Sequence, residues 1–157
     1  MCFYYLQFEG EMNMKIVVNN EPETIKISHE IRNEVFVQEQ GIPSDLDLDG
    51  LDVDSYHSLA YIGDLAVGVA RLAILKNNNA VLARIAIRKD FRGKGIATKI
   101  VESLITKANQ LNINNIEIHA HIHLREYYET FGFQYIKHVE KVGEHQLVEM
   151  CLTQPKK

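Results

Sequence analysis

The chain has 157 residues, of which 46% are hydrophobic and 24% charged, as in an average globular domain. The net charge of −4 argues against nucleic-acid binding as the main role. No apolar run approaches the roughly 20 residues that span a bilayer. Cys2 and Cys151 make neither a CxxC site nor a disulfide framework. We therefore expect a cytoplasmic protein without a membrane or nucleic-acid partner.

The hydrophobic pattern predicts a single α+β domain over residues 14–153. Residues 1–13 are interpreted as an upstream extension from an alternative start, and residues 154–157 as a disordered tail. Strands are predicted at 14–18, 56–62, 65–76, 80–88, 115–122, 133–140 and 146–152, and helices at 24–38, 95–111 and 124–131. The order β-α-β-β-β-α-β-α-β-β indicates helices packed against one mixed sheet.

Charge is distributed unevenly along the chain. Residues 30–60 contain eight acidic side chains and one basic one, Arg32, and most of the aspartates fall in a predicted loop at 44–54. Four basic residues lie within 88–94. The two segments indicate either two ligand faces of opposite sign or two ordinary solvated loops.

A glycine-rich turn, Arg92-Gly93-Lys94-Gly95-Ile96-Ala97, joins the strand at 80–88 to the longest helix. The first amides of a helix have no partner within the helix, and the helix dipole favours negative charge there. Gly93 and Gly95 lack a Cβ, so a phosphate oxygen is able to approach the main chain. Because the turn matches neither GxxxxGK[ST] nor GxGxxG, it indicates either a pyrophosphate cradle or a plain glycine turn.

This turn resembles the R/Q-x-x-G-x-G/A motif of the GNAT superfamily of acyl-CoA-dependent N-acetyltransferases. Residues 32–40, leading into Asp47-Leu48-Asp49-Gly50, and residues 120–133 resemble its ElaA-like branch. The resemblance covers about residues 14–152. It implies a three-layer α+β domain with a central mixed, largely antiparallel sheet, which is splayed at the cofactor cleft and flanked by helices.

The resemblance implies acetyl-CoA as cosubstrate and no metal. Acetyl-CoA would lie between two splayed parallel strands, with its pantetheine arm along the backbone of Ile85, Ala86 and Ile87. The pyrophosphate is expected at the glycine turn and the first helical turn, on Arg92, Gly93, Lys94, Gly95, Ile96, Ala97 and Thr98. The 3′-phosphoadenosine end is expected near Arg88, Lys89 and Lys94.

The resemblance also implies that Tyr128 is the general acid that protonates the departing CoA thiolate. It precedes Glu129-Thr130-Phe131-Gly132-Phe133 and so matches the family's aromatic-Tyr-x-x-x-Gly-Phe pattern. A phenol suits a thiolate whose conjugate acid has a pKa of roughly 8.5–10. Spacing alone leaves both Tyr127 and Tyr128 as packing residues. We expect Tyr127 to be the core member of the pair.

The sequence identifies neither the acceptor nor the general base. Many relatives carry a carboxylate on the strand before the cradle, but that strand reads Val81-Leu82-Ala83-Arg84-Ile85 here. Candidates by residue type are Glu39, His57, His119 and His121; water-relayed deprotonation or an acceptor amine of low pKa is equally consistent. We expect the acidic loop to attract a cationic amine. The superfamily often dimerises, which leaves a homodimer open.

Two patterns resemble metal sites incompletely. Asp45-x-Asp47-x-Asp49-Gly50 looks like the start of an EF-hand loop, but Tyr56 stands where a bidentate glutamate is required. His119, His121 and His123 alternate, which in a strand places them on one face, and imidazole suits zinc. No clear further ligand completes that set, so we expect histidines that line the cleft and no metal.

Other functions remain open on the same fold. One is a non-catalytic acyl-CoA sensor, because a fold does not fix function. Another is a synthase of the acyl-homoserine-lactone type, but such enzymes carry a tryptophan-rich N-terminal pattern and this chain has no tryptophan. The leading hypothesis is an N-acetyltransferase, in which a primary amine of a small molecule or peptide attacks acetyl-CoA directly.

Overall fold

Seven strands form one mixed sheet in the computed structural model, which describes residues 13–142 and 145–155. The strands are β1 (Met14–Asn19), β2 (Ser55–Ile62), β3 (Leu65–Ile74), β4 (Asn79–Ile87), β5 (Asn115–His121), β6 (Gln134–Val142) and β7 (His145–Thr153). Their order across the sheet is β1-β2-β3-β4-β5-β7-β6. Neighbours run antiparallel except for β4 and β5, which run parallel. The predicted α+β fold with a mixed, largely antiparallel sheet is confirmed.

Four α-helices accompany the sheet within these ranges: α1 (Pro22–Arg32), α2 (Ser44–Asp47), α3 (Ile96–Gln110) and α4 (Arg125–Glu129). The predicted helix at 24–38 is α1 continued by a π-helix, Asn33–Glu39, whose wider turn leaves no mark on the apolar spacing. The predicted loop at 44–54 contains α2 and a 3₁₀ turn, Asp52–Asp54.

The helices cover both faces of the sheet and make three layers. On one face, Ile31 and Val35 pack against Leu59 and Val69. On the other, the apolar stripe of α3 packs against the sheet; its buried members are Ile96, Ile100, Val101, Leu104 and Ala108. Among the described helices, none has the length and apolar character required to cross a bilayer.

Gly68 of β3 lets α3 lie close to the sheet. A Cβ at this position would stand 2.6 Å from Cδ1 of Ile87 and 2.9 Å from Cδ1 of Ile100. Both distances are shorter than real contacts allow, so a larger residue would require the ends of these two side chains to shift. Gly68 therefore gives the side chains of Ile87 and Ile100 room to pack over β3.

The sheet splits between β4 and β5. These strands pair through three residue pairs, from Asn79 with Asn115 to Val81 with Glu117. Beyond them, β4 bulges at Arg84, whose φ of +59° is unusual for a residue with a Cβ. The two strands part from this point and open a cleft at their carboxyl ends.

The chain ends differ in part from the prediction. Gln154 is buried rather than disordered, because its backbone N–H donates to the carbonyl of Asn114 at 2.8 Å and its side chain to that of Ile113 at 3.2 Å. The predicted extension at 1–13, apart from Asn13, and the last two residues of the predicted tail lie outside the described ranges.

Candidate active site

The gap between β4 and β5 is a cleft of about 960 Å³. One part lies against the glycine turn and the N-terminus of α3, a second against the β4 bulge, and a third against β5 and α4. Most of the predicted ligand-binding residues line it: Ile85, Ile87, Arg92, Gly93, Gly95, Ile96, Ala97, Thr98, His119, His121 and Tyr128, together with Tyr127. A cleft of this size is large enough for a cofactor-sized ligand.

The glycine turn has the geometry of an anion cradle. Gly93 and Gly95 have φ values of +74° and +80°, and a Cβ at either position would meet nothing within 4 Å. Gly95 is the N-cap of α3, with no capping side chain and no acidic residue in the first turn. The first amides of α3 thus keep their capacity to bind an anion, and the helix dipole adds to it.

Two of the residues predicted to hold the cofactor stand apart from the cleft lining. Ala86 is 2% exposed and packs among the core residues on the α1 face. Lys94 is exposed beside the turn. Neither side chain therefore forms part of the cleft wall.

The arginines near the turn form ion pairs and hydrogen bonds with other residues of the chain. Both terminal nitrogens of Arg92 donate to the carboxylate of Glu39, at 2.6 and 2.7 Å, and its Nε donates to the carbonyl of Ile87. Arg92 lowers the pKa of Glu39 by these hydrogen bonds. Arg88 donates to Glu34 and, at 2.9 Å, to the carbonyl of Ala66, so its side chain is engaged by the protein and we do not assign it to the adenosine phosphate.

Tyr127 and Tyr128 both line the cleft, but their burial is the reverse of the prediction. Tyr128 is 6% exposed and belongs to the hydrophobic core, whereas Tyr127 is half-buried and shares a 2.8 Å hydrogen bond with Thr98. In α4 the ring of Tyr128 turns inward, between Tyr127 and Phe133. Burial, with a smaller contribution from Tyr127, raises the pKa of Tyr128 to about 12.

The predicted histidines separate into two places. His119 and His121 of β5 line the cleft. His57 does not: it is fully buried in β2, and its Nε2–H donates to the carbonyl of Asp52 at 2.9 Å. Burial lowers the pKa of His57. The structure thus does not bring His57 to the acceptor side.

The alternating histidines do not gather around one point. His123 falls in the 3₁₀ turn after β5, because the strand has ended there. His119 instead lies 3.2 Å from Glu117 and 3.6 Å from Glu149. Glu149 is close because it pairs with His119 across the neighbouring strands β5 and β7. The ligand atoms of these three residues lie within 4.8 Å of one another, a grouping that the sequence did not reveal because Glu149 is 30 positions away.

Arginines pair with three of the five aspartates in the acidic segment at 44–54, which we call the aspartate loop. Arg32, fully buried at the end of α1, donates through Nε to both carboxylate oxygens of Asp47 at 3.1 Å and through Nη1 to Asp52 at 2.8 Å. Burial acts to raise the pKa of Asp52, but hydrogen bonds from Arg32 and His29 outweigh it and hold that pKa well below its usual range.

Two further arginines reach the aspartate loop from the sheet. Arg71 of β3 donates to both oxygens of Asp49, at 2.8 and 2.9 Å. Arg84 lies 3.1 Å from Asp47 and 3.1 Å from Asp49. Three aspartates therefore face three arginines, which weakens the expected attraction of the loop for a cationic amine, while Asp45 and Asp54 of the same segment are exposed. One signal was available in the sequence: Arg71 interrupts an otherwise apolar strand.

Comparisons with known proteins agree with this geometry. A family model described as an acetyltransferase (GNAT) domain matches residues 27–154. A Bacillus subtilis protein with a provisional acetyltransferase name is 32% identical over 126 residues, covering 78% of this chain and 84% of its own length.

The solved structures show the same fold. A Lactobacillus plantarum protein with a provisional N-acetyltransferase name superposes with a TM-score of 0.82 at 25% identity, over 89% of this chain and 97% of that one. Escherichia coli ElaA gives 0.77 at 21% identity, over 90% and 99%. A Bacillus subtilis acetyltransferase in complex with CoA gives 0.65 at 18% identity, over 91% and 100%. With its split sheet, its glycine turn and these matches, the chain belongs to the GNAT family of acetyltransferases.

Proposed function

We propose that this chain transfers an acetyl group from acetyl-CoA to a primary amine by direct attack. Membership of the GNAT family makes the chain an acyltransferase with a CoA-type cosubstrate and an acceptor. The proposal of direct acetyl transfer to an amine is supported by one observation: an uncapped helix N-terminus and a buried phenol, Tyr128, line the same cleft. The first suits a pyrophosphate and the second suits a leaving thiolate.

The glycine turn is proposed to bind the pyrophosphate through main-chain N–H groups from Arg92 to Thr98. Open space in front of Gly93 and Gly95 supports this role. The pantetheine arm is proposed to run along the backbone at Ile85–Ile87, where β4 has left its partner β5. Lys89 and Lys94, both exposed, are the cations that remain for the 3′-phosphate, since Arg88 and Arg92 are bound to glutamates.

In the proposed reaction the lone pair of a neutral amine attacks the thioester carbonyl carbon. The new C–N bond forms, the C–S bond breaks, and the amine nitrogen loses one proton while the thiolate gains one. Tyr128 is proposed to give the thiolate its proton. A pKa of about 12 keeps this phenol protonated at neutral pH, which a proton donor requires.

The acceptor side is proposed to lie between β5 and the aspartate loop. His119 and His121 are candidates to contact the amine there because both line the cleft. Glu39 is proposed to position Arg92 beside the turn instead of binding the acceptor, because both of its oxygens accept from that guanidinium. We do not assign His57 to the acceptor site.

Release of free thiol from acetyl-CoA tests the proposal directly. Purified protein is mixed with acetyl-CoA and, separately, with polyamines, amino sugars, amino acids and short peptides, and the thiol is measured by a colour reagent. We expect release that depends on one class of amine. CoA binding by calorimetry without release in any mixture would instead favour the acyl-CoA sensor.

A further inference from the structure

Arg84 is the least completely paired of the three arginines that meet the aspartate loop. Arg32 and Arg71 each contact both oxygens of one aspartate and a second aspartate besides. Arg84 shares the same carboxylates through Nε and Nη2, at 3.1 Å, and its contacts with loop carbonyls are 3.3 and 3.4 Å long. Within the described part of the chain, no hydrogen bond from its Nη1 is found.

The position of Arg84 exposes this charge to the cleft. Its side chain is 25% exposed and lines the cleft, whereas Arg71 is 3% exposed. Burial, and to a smaller extent the neighbouring Arg71, lower the pKa of Arg84. Asp49 and Asp52 outweigh burial and raise the pKa of Arg71. Arg71 is thus well compensated, although its buried Nε has no hydrogen-bond partner.

The backbone holds Arg84 in place at some cost. A φ of +59° costs a residue with a Cβ about 1–2 kcal/mol. The bulge that contains Arg84 lies where β4 parts from β5, and bulges beside active sites commonly redirect a side chain. An observed strained residue inside a ligand cleft is a reasonable indication of a functional contact.

The cleft that Arg84 lines also exposes apolar side chains. Leu46, Leu51 and Leu75 line the same cleft and are 65%, 46% and 46% exposed. Large apolar side chains gathered around one cleft and left in water commonly mark a binding surface. The cleft therefore combines exposed apolar side chains with one guanidinium whose Nη1 is not used by the aspartate loop.

We propose that the acceptor is an amine that also carries a carboxylate and an apolar side chain, and that Arg84 binds the carboxylate. This inference rests on the proposed acetyl transfer. Arg84 is then a specificity-determining residue, because its Nη1 is able to donate a charge-assisted hydrogen bond to a carboxylate. The aspartates beside it are paired, so a polycation gains little from the same site.

Matched acceptors test the class of substrate. Leucine, methionine and phenylalanine are compared with their amides and with the corresponding decarboxylated amines, such as 3-methylbutylamine for leucine. The protonated amine has a lower pKa in the amino acid amide than in the amino acid, and a higher pKa in the decarboxylated amine. The two analogues together therefore control for the basicity of the attacking nitrogen. We expect kcat/KM for the amino acid to exceed that of both analogues by about 10- to 100-fold, the range of a hydrogen bond to a charged group.

The variant Arg84→Gln should lose this preference. We expect its kcat/KM for the amino acid to fall about 10- to 100-fold and for the amide to change less than about threefold. Arg84→Lys should recover part of the loss, since it keeps the positive charge but not the planar guanidinium. Arg88→Gln is the matched control, because this arginine binds Glu34 and Ala66 and does not line the cleft. CoA affinity by calorimetry and a urea unfolding curve for each variant report whether the fold is intact.

The outcomes separate the two proposals. If amines without a carboxylate react as well as amino acids, or if amino acids do not react at all, the substrate class is wrong while acetyl transfer stands. If Arg84→Gln keeps the full preference with normal CoA affinity, the assignment to Arg84 is wrong. If no amine of any class causes thiol release, the proposed function itself is wrong.

Discussion

Replacing Tyr128 by Phe tests the proposed acid with little change in packing. The ring lies with its centroid 5.1 Å from that of Tyr127 and 6.0 Å from that of Phe133, and phenylalanine keeps both contacts. The substitution removes the hydroxyl alone. We therefore expect an intact fold and a CoA affinity within about twofold of the native protein, since the cradle amides are untouched.

The expected loss of turnover follows from the proton affinities. The pKa of Tyr128 is raised to about 12, whereas a free thiol has a pKa of about 8.5. Complete proton transfer to the thiolate in water would be uphill by about 5 kcal/mol. Burial of the thiolate raises its proton affinity and narrows this gap. We expect Tyr128 to donate a hydrogen bond to the sulfur and to pass on its proton as the C–S bond breaks. In Tyr128→Phe, kcat should therefore fall about 100-fold, which is about 2.7 kcal/mol and at the low end for general acids.

The assay is thiol release at saturating acetyl-CoA and acceptor, with Tyr127→Phe as the matched control. That variant loses the hydrogen bond to Thr98, which costs about 1 kcal/mol of stability, but keeps the proposed acid. Its kcat should stay within about threefold of the native value. Undiminished turnover in Tyr128→Phe, or equal losses in both variants, would refute the role of Tyr128. The native kcat should also show no decline from Tyr128 up to pH 10, since the phenol loses its proton near pH 12.

Two further predictions concern the glycine turn and the buried histidine. Gly95→Ala should weaken CoA binding at least about tenfold in calorimetry, because a Cβ would occupy the space before the amides; Gly63→Ala has similar strain, at φ +60°, and should leave CoA affinity unchanged. Equal affinity in both variants would contradict the cradle. Burial lowers the pKa of His57, so the unfolded chain binds its proton first and stability falls as pH drops below about 6.5. Between pH 7.5 and 5.5, urea unfolding should show a smaller loss in His57→Gln than in the native protein, by at most about 1.4 kcal/mol per pH unit, while His123→Gln at an exposed site keeps the native slope. A native slope in His57→Gln would remove this histidine as the cause.

The apolar periodicity predicted the element order well because each strand and helix buries one face of its own local sequence. The stripe of α3 and the alternation in β5 are examples. The π-helix at Asn33–Glu39 escaped prediction because a shift in backbone hydrogen bonding does not alter residue types. The bulge at Arg84 depends on how β4 meets β3, which no local pattern encodes.

The site was predicted unevenly for the same reason. The glycine turn is local in sequence, and its place at the N-terminus of α3 followed from the residues. The pairing of the aspartate loop with arginines did not, because Arg32, Arg71 and Arg84 come from three separate elements. The prediction of which tyrosine is more buried was wrong. Adjacent residues in a short helix point in different directions, and their spacing from Gly132 does not tell which of Tyr127 and Tyr128 faces the core.

The short stretch of pairing between β4 and β5 divides the sheet into two halves. One half has the order β1-β2-β3-β4 and the other the order β5-β7-β6. Along most of β4 beyond Val81, the edge that faces β5 lacks a neighbouring strand. An extended molecule with amide groups that enters this gap would act as an added strand and join the two halves of the sheet. Amide hydrogen exchange in the second half of β4 would then slow when the molecule binds. The two halves of the sheet would also unfold together, at a higher denaturant concentration than in the unbound protein.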